Sequence, residues 1–231
     1  MNILIADDDV ELCQLLKQYL EQENCTVHTV SNGQLAIDLL DKHNFDVLIL
    51  DVMMPKLNGF ETLKAIRQSN EIAVIMLTAK VDMINRIVGL EMGADDYIAK
   101  PCDPRELIAR IRAVTRRTTA ADSNSLDEDI VKLDDLTIMR SSRQVLLVND
   151  CLEFTSAEYD LLLVLVDNAG SAVTREMLSK EGLGKRLRRH DRSIDVHVSN
   201  LRKKLGTDSL HRERIKTIHG AGYQYVTYPH D

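Results

Sequence analysis

Five short apolar runs recur along the first half of the chain: Ile3 to Ala6, Thr26 to Val30, Asp46 to Leu50, Ala73 to Leu77 and Asp95 to Ala99. The stretches between them carry helical patterning, and this alternation reads as repeated β-α units that close a parallel sheet. Val47-Leu48-Ile49-Leu50 and Ala73-Val74-Ile75-Met76-Leu77 are apolar on both faces, as strands covered by helices on each side must be. No apolar run approaches the roughly 20 residues of a membrane span. The start Met1-Asn2-Ile3-Leu4-Ile5-Ala6 lacks the basic flank and cleavage region of a signal peptide, so a cytoplasmic protein with no membrane partner is expected. Cys13, Cys25, Cys102 and Cys151 lie far apart with no metal-ligand spacing, which argues against a disulfide framework or zinc site and for four small packing residues.

The pattern changes after the helix that starts at Pro104. The run Arg116-Arg117-Thr118-Thr119-Ala120-Ala121-Asp122-Ser123-Asn124-Ser125 has no periodic apolar residues and reads as a joint. Beyond it, Leu136 to Met139 and Gln144 to Val148 suggest antiparallel hairpins, and Thr155 and Glu158 have capping-box spacing ahead of an apolar helix. A further helix spans about Arg192 to Leu205, closed by Gly206, and Gly220-Ala221-Gly222 joins two β-rich runs. Charge follows the same division. The chain's net charge is -7, and residues 1–120 hold 13 Lys+Arg against 18 Asp+Glu, whereas residues 174–220 hold 13 against 6. An acidic module precedes one that contains a basic stretch, the footprint of a nucleic-acid partner.

In an open parallel α/β sheet, ligands bind beyond the carboxyl ends of the strands. Here those ends carry Asp7-Asp8-Asp9 on the first strand, Asp51 on the third, Thr78 on the fourth and Lys100 on the fifth. Converging carboxylates repel one another unless a cation lies among them, and a hard oxygen site with few ligands suits Mg²⁺. Carboxylates, Mg²⁺ and a lysine fit phosphoryl transfer, with Asp51 on the central strand as nucleophile.

The stretches Ile5-Ala6-Asp7-Asp8-Asp9, Leu50-Asp51-Val52-Met53-Met54-Pro55, Leu77-Thr78-Ala79 and Tyr97-Ile98-Ala99-Lys100-Pro101 resemble, in order and spacing, the receiver domains of two-component response regulators. The resemblance implies that Asp51 accepts phosphate from a sensor histidine kinase. It also implies that Asp8, Asp51 and the Met53 carbonyl ligate Mg²⁺, with Asp7 acting through water. Thr78 and Lys100 would bind the phosphoryl group, Tyr97 would turn inward as Thr78 moves, and Lys100-Pro101 would be a cis peptide. Cys102 stands where most relatives have Phe.

On the Arg192–Leu205 helix, Ile194, Val198, Leu201 and Leu205 fall within about 60° of one another and form a buried stripe. The opposite face should present Arg192, Val196, Ser199, Asn200 and Lys203, with His197 and Lys204 at one edge and Arg202 near the other. Such a face offers amide and hydroxyl groups to base edges and cations to phosphates. Arg188 in the preceding basic loop and Thr217 and His219 on the glycine hairpin extend it.

Thr155-Ser156-Ala157-Glu158-Tyr159-Asp160-Leu161-Leu162, Asp195 to Leu205 and Gly220-Ala221-Gly222-Tyr223 resemble the winged-helix output domain of the OmpR/PhoB class. Leu183 to Leu187 and Asp191 to Asp195 are most similar to the branch of that class that governs envelope stress. The implied architecture is an α/β, doubly wound, five-stranded parallel (βα)5 receiver domain at 1–117, a linker at 118–128 and an α+β winged helix-turn-helix domain at 129–231. A chain of this kind is a phosphorylation-switched transcription regulator, with promoter DNA and RNA polymerase as partners, rather than an enzyme. His219 replaces the arginine that many members carry on the wing.

In this class a receiver dimer forms on phosphorylation, and the resemblance assigns to it Arg86, Ile87, Leu90, Glu91, Asp96, Glu106, Ala109, Arg110 and Arg112. The implied pairs across the twofold are Arg86 with Glu106, Asp96 with Arg110 and Glu91 with Arg112. The rival readings are a Mg²⁺-dependent phosphohydrolase that uses an aspartyl-phosphate intermediate, which lacks a second placed acid-base beside Asp51, and a constitutive DNA-binding protein with a vestigial receiver.

Overall fold

The computed structural model describes residues 1–78, 88–119 (side chains to 115), 130–148, 150–187, 191–208 and 210–227. The chain divides into two compact units, Met1–Thr115 and Arg116–Asp231.

In the first unit, β1 (Asn2–Ala6), β2 (Thr26–Val30), β3 (Val47–Asp51), β4 (Ala73–Thr78) and β5 (Asp96–Ala99) form one parallel sheet in the order β2-β1-β3-β4-β5. The helices are α1 (Val10–Gln22), α2 (Gly33–Leu40), α3 (Gly59–Ile66) and α4 (Pro104–Thr119), and residues 88–91 are also helical. Period-two alternation sorts the strand residues between the two faces. Ile3, Ile5, Val47, Ile49, Ile75 and Leu77 pack with Leu16 and Leu20 of α1 and with Leu107, Ile111 and Val114 of α4. Leu4, Ala6, Leu48, Leu50, Val74 and Met76 pack with Ala36 of α2 and with Leu63 and Ile66 of α3. All of β3 and β4 is buried, as their two-sided apolar runs require.

The second unit opens with a four-stranded antiparallel sheet of β6 (Ile130–Leu133), β7 (Leu136–Met139), β8 (Gln144–Leu147) and β9 (Asp150–Leu152). Then come α5 (Ser156–Asp167), β10 (Val173–Thr174), α6 (Arg175–Met177), a wider helical turn at Leu178–Gly182, α7 (Ser193–Leu205), β11 (Ile215–Ile218) and β12 (Gly222–Tyr225). The order β10-β12-β11 makes a three-stranded sheet whose β11-β12 hairpin is the wing. The expected capping box is present, with Thr155 accepting from the Glu158 N–H and Glu158 accepting from the Thr155 N–H. Ile194, Val198, Leu201 and Leu205 all enter the core with Leu161, Leu162 and Leu165 of α5.

Three expectations need correction. Helix α4 runs through Thr119, beyond Arg116 where the joint run begins, because no glycine or proline lies in residues 116–119 to stop it. Strand β8 ends at Leu147, since Val148 takes a left-handed φ of 62° and begins the turn into β9. Of the cysteines, Cys13 and Cys25 are buried and Cys102 packs partly against the core, but Cys151 on the edge strand β9 is exposed.

Candidate functional site

The carboxyl ends of β1 and β3 bring Asp7, Asp8 and Asp51 together, with one oxygen from each lying within 4.8 Å of the others. Asp7 and Asp51 are buried and Asp8 is exposed. Asp9 is a helix cap, not a member of the cluster: its side chain accepts from the Leu12 N–H at 3.0 Å and starts α1. From β5, Lys100 places Nζ 2.7 Å from Asp51 Oδ1 and 2.6 Å from Asp7 Oδ2. Lys100 thus bridges the buried carboxylates of Asp7 and Asp51. Lys100-Pro101 is cis.

Burial raises the Asp51 carboxyl above its usual range, and Lys100 and the Met53 N–H, which donates to Asp51 Oδ2 at 2.8 Å, pull it down without cancelling that effect. Burial alone would lower Lys100, but Asp51 and Asp7 outweigh it and hold the ammonium above its usual range. The two directions have different causes, burial for Asp51 and the paired carboxylates for Lys100, and with Asp8 beside them three carboxylates face one ammonium, so the pocket is short of positive charge. An all-oxygen cluster of three carboxylates with one ammonium fits a small hard cation.

Thr78 is buried at the end of β4, and Tyr97 is packed inward with Met54, Met76 and Ala94. Met53 is exposed at the mouth of the pocket. The sequence reading passed over Gly59. A Cβ there would lie 2.2 Å from the Asp51 carbonyl oxygen and 2.9 Å from Val52 Cα, so α3 can start where it does only on a glycine.

Of the residues expected at a dimer interface, Arg86 and Ile87 lie outside the described residues. Leu90 is only 1 % exposed and belongs to the interior rather than to a surface patch, because the helical stretch at 88–91 turns that side inward. Arg110 is paired within the chain to Asp96 and, at 2.6 Å, to Glu106 one turn away. Arg112 reaches Glu23 of the same chain at 2.6 Å. Glu91 and Ala109 are exposed.

On α7, Arg192 and Lys203 are exposed and Ser199 is half-buried, as expected. Val196, His197 and Asn200 are buried, contrary to expectation. The single-stripe reading allows one covered face, but burial continues round the helix from Ser193 and His197 to Asn200 and Val196. His197 and Asn200 both have interaction partners. The open arc spans about 100°, from Arg202 past Asp195, Ser199 and Arg192 to Lys203. Arg202 turns to the wing, donating to the Ile215 carbonyl and the Thr217 hydroxyl, each at 2.9 Å. Lys204 pairs at 2.7 Å with Glu158 of the α5 capping box. His219 is exposed on the wing, and Arg188 lies outside the described residues.

An acidic pocket of this composition on a (βα)5 sheet, followed by a winged helix, defines a phosphorylation-dependent regulator of transcription. Residues 3–112 match the family described as response regulator receiver domain, and residues 149–225 match transcriptional regulatory protein, C terminal. The chain belongs to the response regulators with an OmpR/PhoB-type output domain. It is similar to the transcriptional regulatory protein CpxR of Escherichia coli (strain K12), with 45 % identity over 229 residues covering 98 % of each chain. It is also similar to the CpxR homolog of Haemophilus influenzae, with 43 % identity over 98 % of this chain and 99 % of that one. The crystal structure of response regulator DrrB, a Thermotoga maritima OmpR/PhoB homolog, superposes with a TM-score of 0.51 at 31 % identity, covering 97 % of this chain and 98 % of the other. Membership implies a histidine kinase and promoter DNA as partners, and receiver domains as a class bind Mg²⁺ at the acidic pocket. No helix among the described residues is long and apolar enough to cross a membrane.

Proposed function

We propose that Asp51 is the phosphoacceptor, that its phosphorylation drives receiver dimerisation, and that the dimer binds promoter DNA through the winged helix. The observation that carries this reading is the position of Asp51: buried at a central strand end, 2.7 Å from Lys100 and beside Asp7 and Asp8. A carboxylate oxygen of Asp51 attacks the phosphorus of a phosphohistidine donor. The O–P bond forms as the N–P bond breaks, and the imidazole keeps the electron pair. Lys100 remains protonated and meets a phosphoryl oxygen, and the Thr78 hydroxyl donates to another. Asp8, Asp51 and the Met53 carbonyl would hold Mg²⁺, with Asp7 acting through water, and the bound ion would neutralise charge on the phosphoryl oxygens.

As Thr78 moves toward the phosphoryl group, the packing of Tyr97 fixes the face that carries Asp96, Glu106 and Arg110. Dimerisation then exchanges in-chain ion pairs for pairs across a twofold. On DNA, Arg192 and Lys203 hold phosphates while Ser199 and the wing residue His219 approach the grooves. Val196, His197 and Asn200 join where binding uncovers them. The linker begins after Thr119, RNA polymerase is the downstream partner, and the likeness to CpxR supports a role in envelope stress.

Incubation with Mg²⁺ and acetyl phosphate should add one phosphate per chain, and Asp51→Ala should abolish it. Intact-mass measurement decides the matter, because a label retained by the variant would move the acceptor elsewhere.

A further inference from the structure

A cluster outside the pocket and outside the expected DNA contacts ties the recognition helix to the wing. Asp195, in the first turn of α7, accepts at Oδ1 from Arg175 Nε at 2.9 Å and from the Tyr223 hydroxyl at 2.5 Å. Arg175 also donates to the Tyr223 hydroxyl at 3.3 Å. Two turns further along α7, and about 20° away round the helix, Arg202 grips the wing at the Ile215 carbonyl and Thr217 Oγ1. The guanidinium groups of Arg175 and Arg202 lie 5.0 and 5.7 Å from the centre of the Tyr223 ring. In the β11-β12 ladder Thr217 stands directly across from Tyr223, so both arms of the cluster end on one rung of the wing. Tyr223 also pairs with Val173 of β10, which makes that rung the middle of the sheet.

The Tyr223 ring belongs to the core of this unit with Ile194, Val198, Leu201, Leu205, Ile215 and Tyr225, whereas Arg175, Asp195 and Arg202 stand outside that core, so the polar contacts to the Tyr223 hydroxyl and the wing add to a fold the core already supplies. Those contacts fix where the hairpin tip stands relative to α7.

We propose that Arg175, Asp195, Arg202 and Tyr223 set the angle of the wing against the recognition helix, and that Asp195 and Arg202 act in DNA recognition as positioning residues rather than as DNA ligands. The proposal rests on the reading that α7 and the wing bind DNA. A duplex that needs groove contacts from both elements at a fixed separation is then favoured over one that offers phosphates alone.

The sign of one substitution separates this from a simple charge effect. Asp195 is an acid on the open arc of α7, with its side chain 39 % exposed. As a mere surface charge, its removal should tighten binding to every duplex by reducing repulsion from phosphates. As a positioning residue, its removal should weaken binding only where the wing must sit correctly.

The test uses the full chain, phosphorylated with acetyl phosphate, on a duplex selected by the wild-type chain from a randomised pool and on a scrambled duplex of the same composition. Asp195→Ala is expected to lose about tenfold on the selected duplex and nothing on the scrambled one. Hydroxyl-radical protection by the wing should fade in the variant while major-groove protection remains. Asp195→Asn keeps the accepting oxygen and should restore most of the discrimination. Tyr223→Phe removes a single hydroxyl and should fall between the two, which covers the case in which the alanine variant fails to fold. Arg202→Ala should lower discrimination without changing the salt slope, whereas loss of a phosphate ligand would reduce that slope by about 0.9. Tighter binding of Asp195→Ala to both duplexes, or a reduced slope with full discrimination for Arg202→Ala, would overturn the proposal. A wild-type chain that selects no sequence from the pool would instead remove the DNA reading beneath it.

Discussion

Gly59→Ala puts a packing constraint and the acceptor site into one experiment. In an unconstrained helix the change removes unfolded-state entropy and stabilises by about 0.4–1 kcal/mol. Here the added Cβ would lie 2.2 Å from the Asp51 carbonyl oxygen and 2.9 Å from Val52 Cα, both backbone atoms that no rotamer change can clear. Relief requires α3 and the end of β3 to part by roughly 1 Å, and overpacking of this kind costs about 1–3 kcal/mol, so the clash outweighs the propensity gain. The Gly59 N–H donates to the Val52 carbonyl at 3.0 Å and Asn58 caps the helix, so α3 cannot retreat without losing those bonds. Part of the shift must therefore fall on Asp51. A displacement of about 1 Å in a reacting group slows a positioned reaction by up to about 100-fold. The variant should melt several degrees below wild type by circular dichroism. Well below that melting point it should take up phosphate from acetyl phosphate at least tenfold more slowly. A variant as stable as wild type and labelled at the wild-type rate would refute the reasoning, and lowered stability with a normal rate would show that α3 alone absorbs the strain.

Two further outcomes follow from single groups. Hydrogen bonds from Arg214, at 2.5 and 2.7 Å, hold the Asp135 carboxyl below its usual range. The native state then binds fewer protons than the unfolded chain near pH 4, so the stabilisation is fully present above about pH 4 and lost as pH falls through the depressed native value. Asp135→Asn should lower the melting temperature at neutral pH and flatten the acid limb of the melting-temperature profile, and an acid limb as steep as wild type would count against the pair. Burial pushes the Cys13 thiol up to about 11, whereas Cys151 is exposed. Iodoacetamide at about pH 8 should label Cys151 and spare Cys13 in the native chain, as peptide mass spectrometry would show. Equal labelling of the two would contradict the burial of Cys13.

The sheet of the first unit was legible because its signal is local. Five apolar runs mark five strands, and the two that are apolar on both faces occupy the positions covered on both sides. The pocket was legible for the same reason, since strand-end residues converge wherever parallel strands do. Close approach leaves no such mark. Nothing in Asn58-Gly59-Phe60 says that β3 passes so near its Cβ position, and nothing in Asp7-Asp8-Asp9 says that the third acid caps a helix. Helix α7 shows the limit of periodicity. Its apolar stripe was identified, but Val196 and the polar residues His197 and Asn200 are also buried, and a hydropathy pattern does not report the burial of polar groups on the opposite side.

The basic stretch teaches the same lesson about charge, with a measurable consequence. Residues 174–220 hold thirteen lysines and arginines, and if all met phosphates the logarithm of DNA affinity would fall with the logarithm of salt at a slope of about -12 per output domain. Several are already held within the chain: Arg175 by Asp195, Lys204 by Glu158, Arg212 by Asp208, Arg214 by Asp135 and Arg202 by the wing. Moving such a cation to a phosphate abandons an acid that must be resolvated, so these groups add little to the counterions released. Arg192 and Lys203 are exposed on the open arc and Arg186 is exposed in the loop before it, with no in-chain ion pair among the described residues. The slope on a scrambled duplex should therefore lie near -3 to -5 per output domain, and Lys203→Ala should bring it about one unit closer to zero. A slope near -12 would mean that DNA opens the in-chain pairs, including those that set the wing.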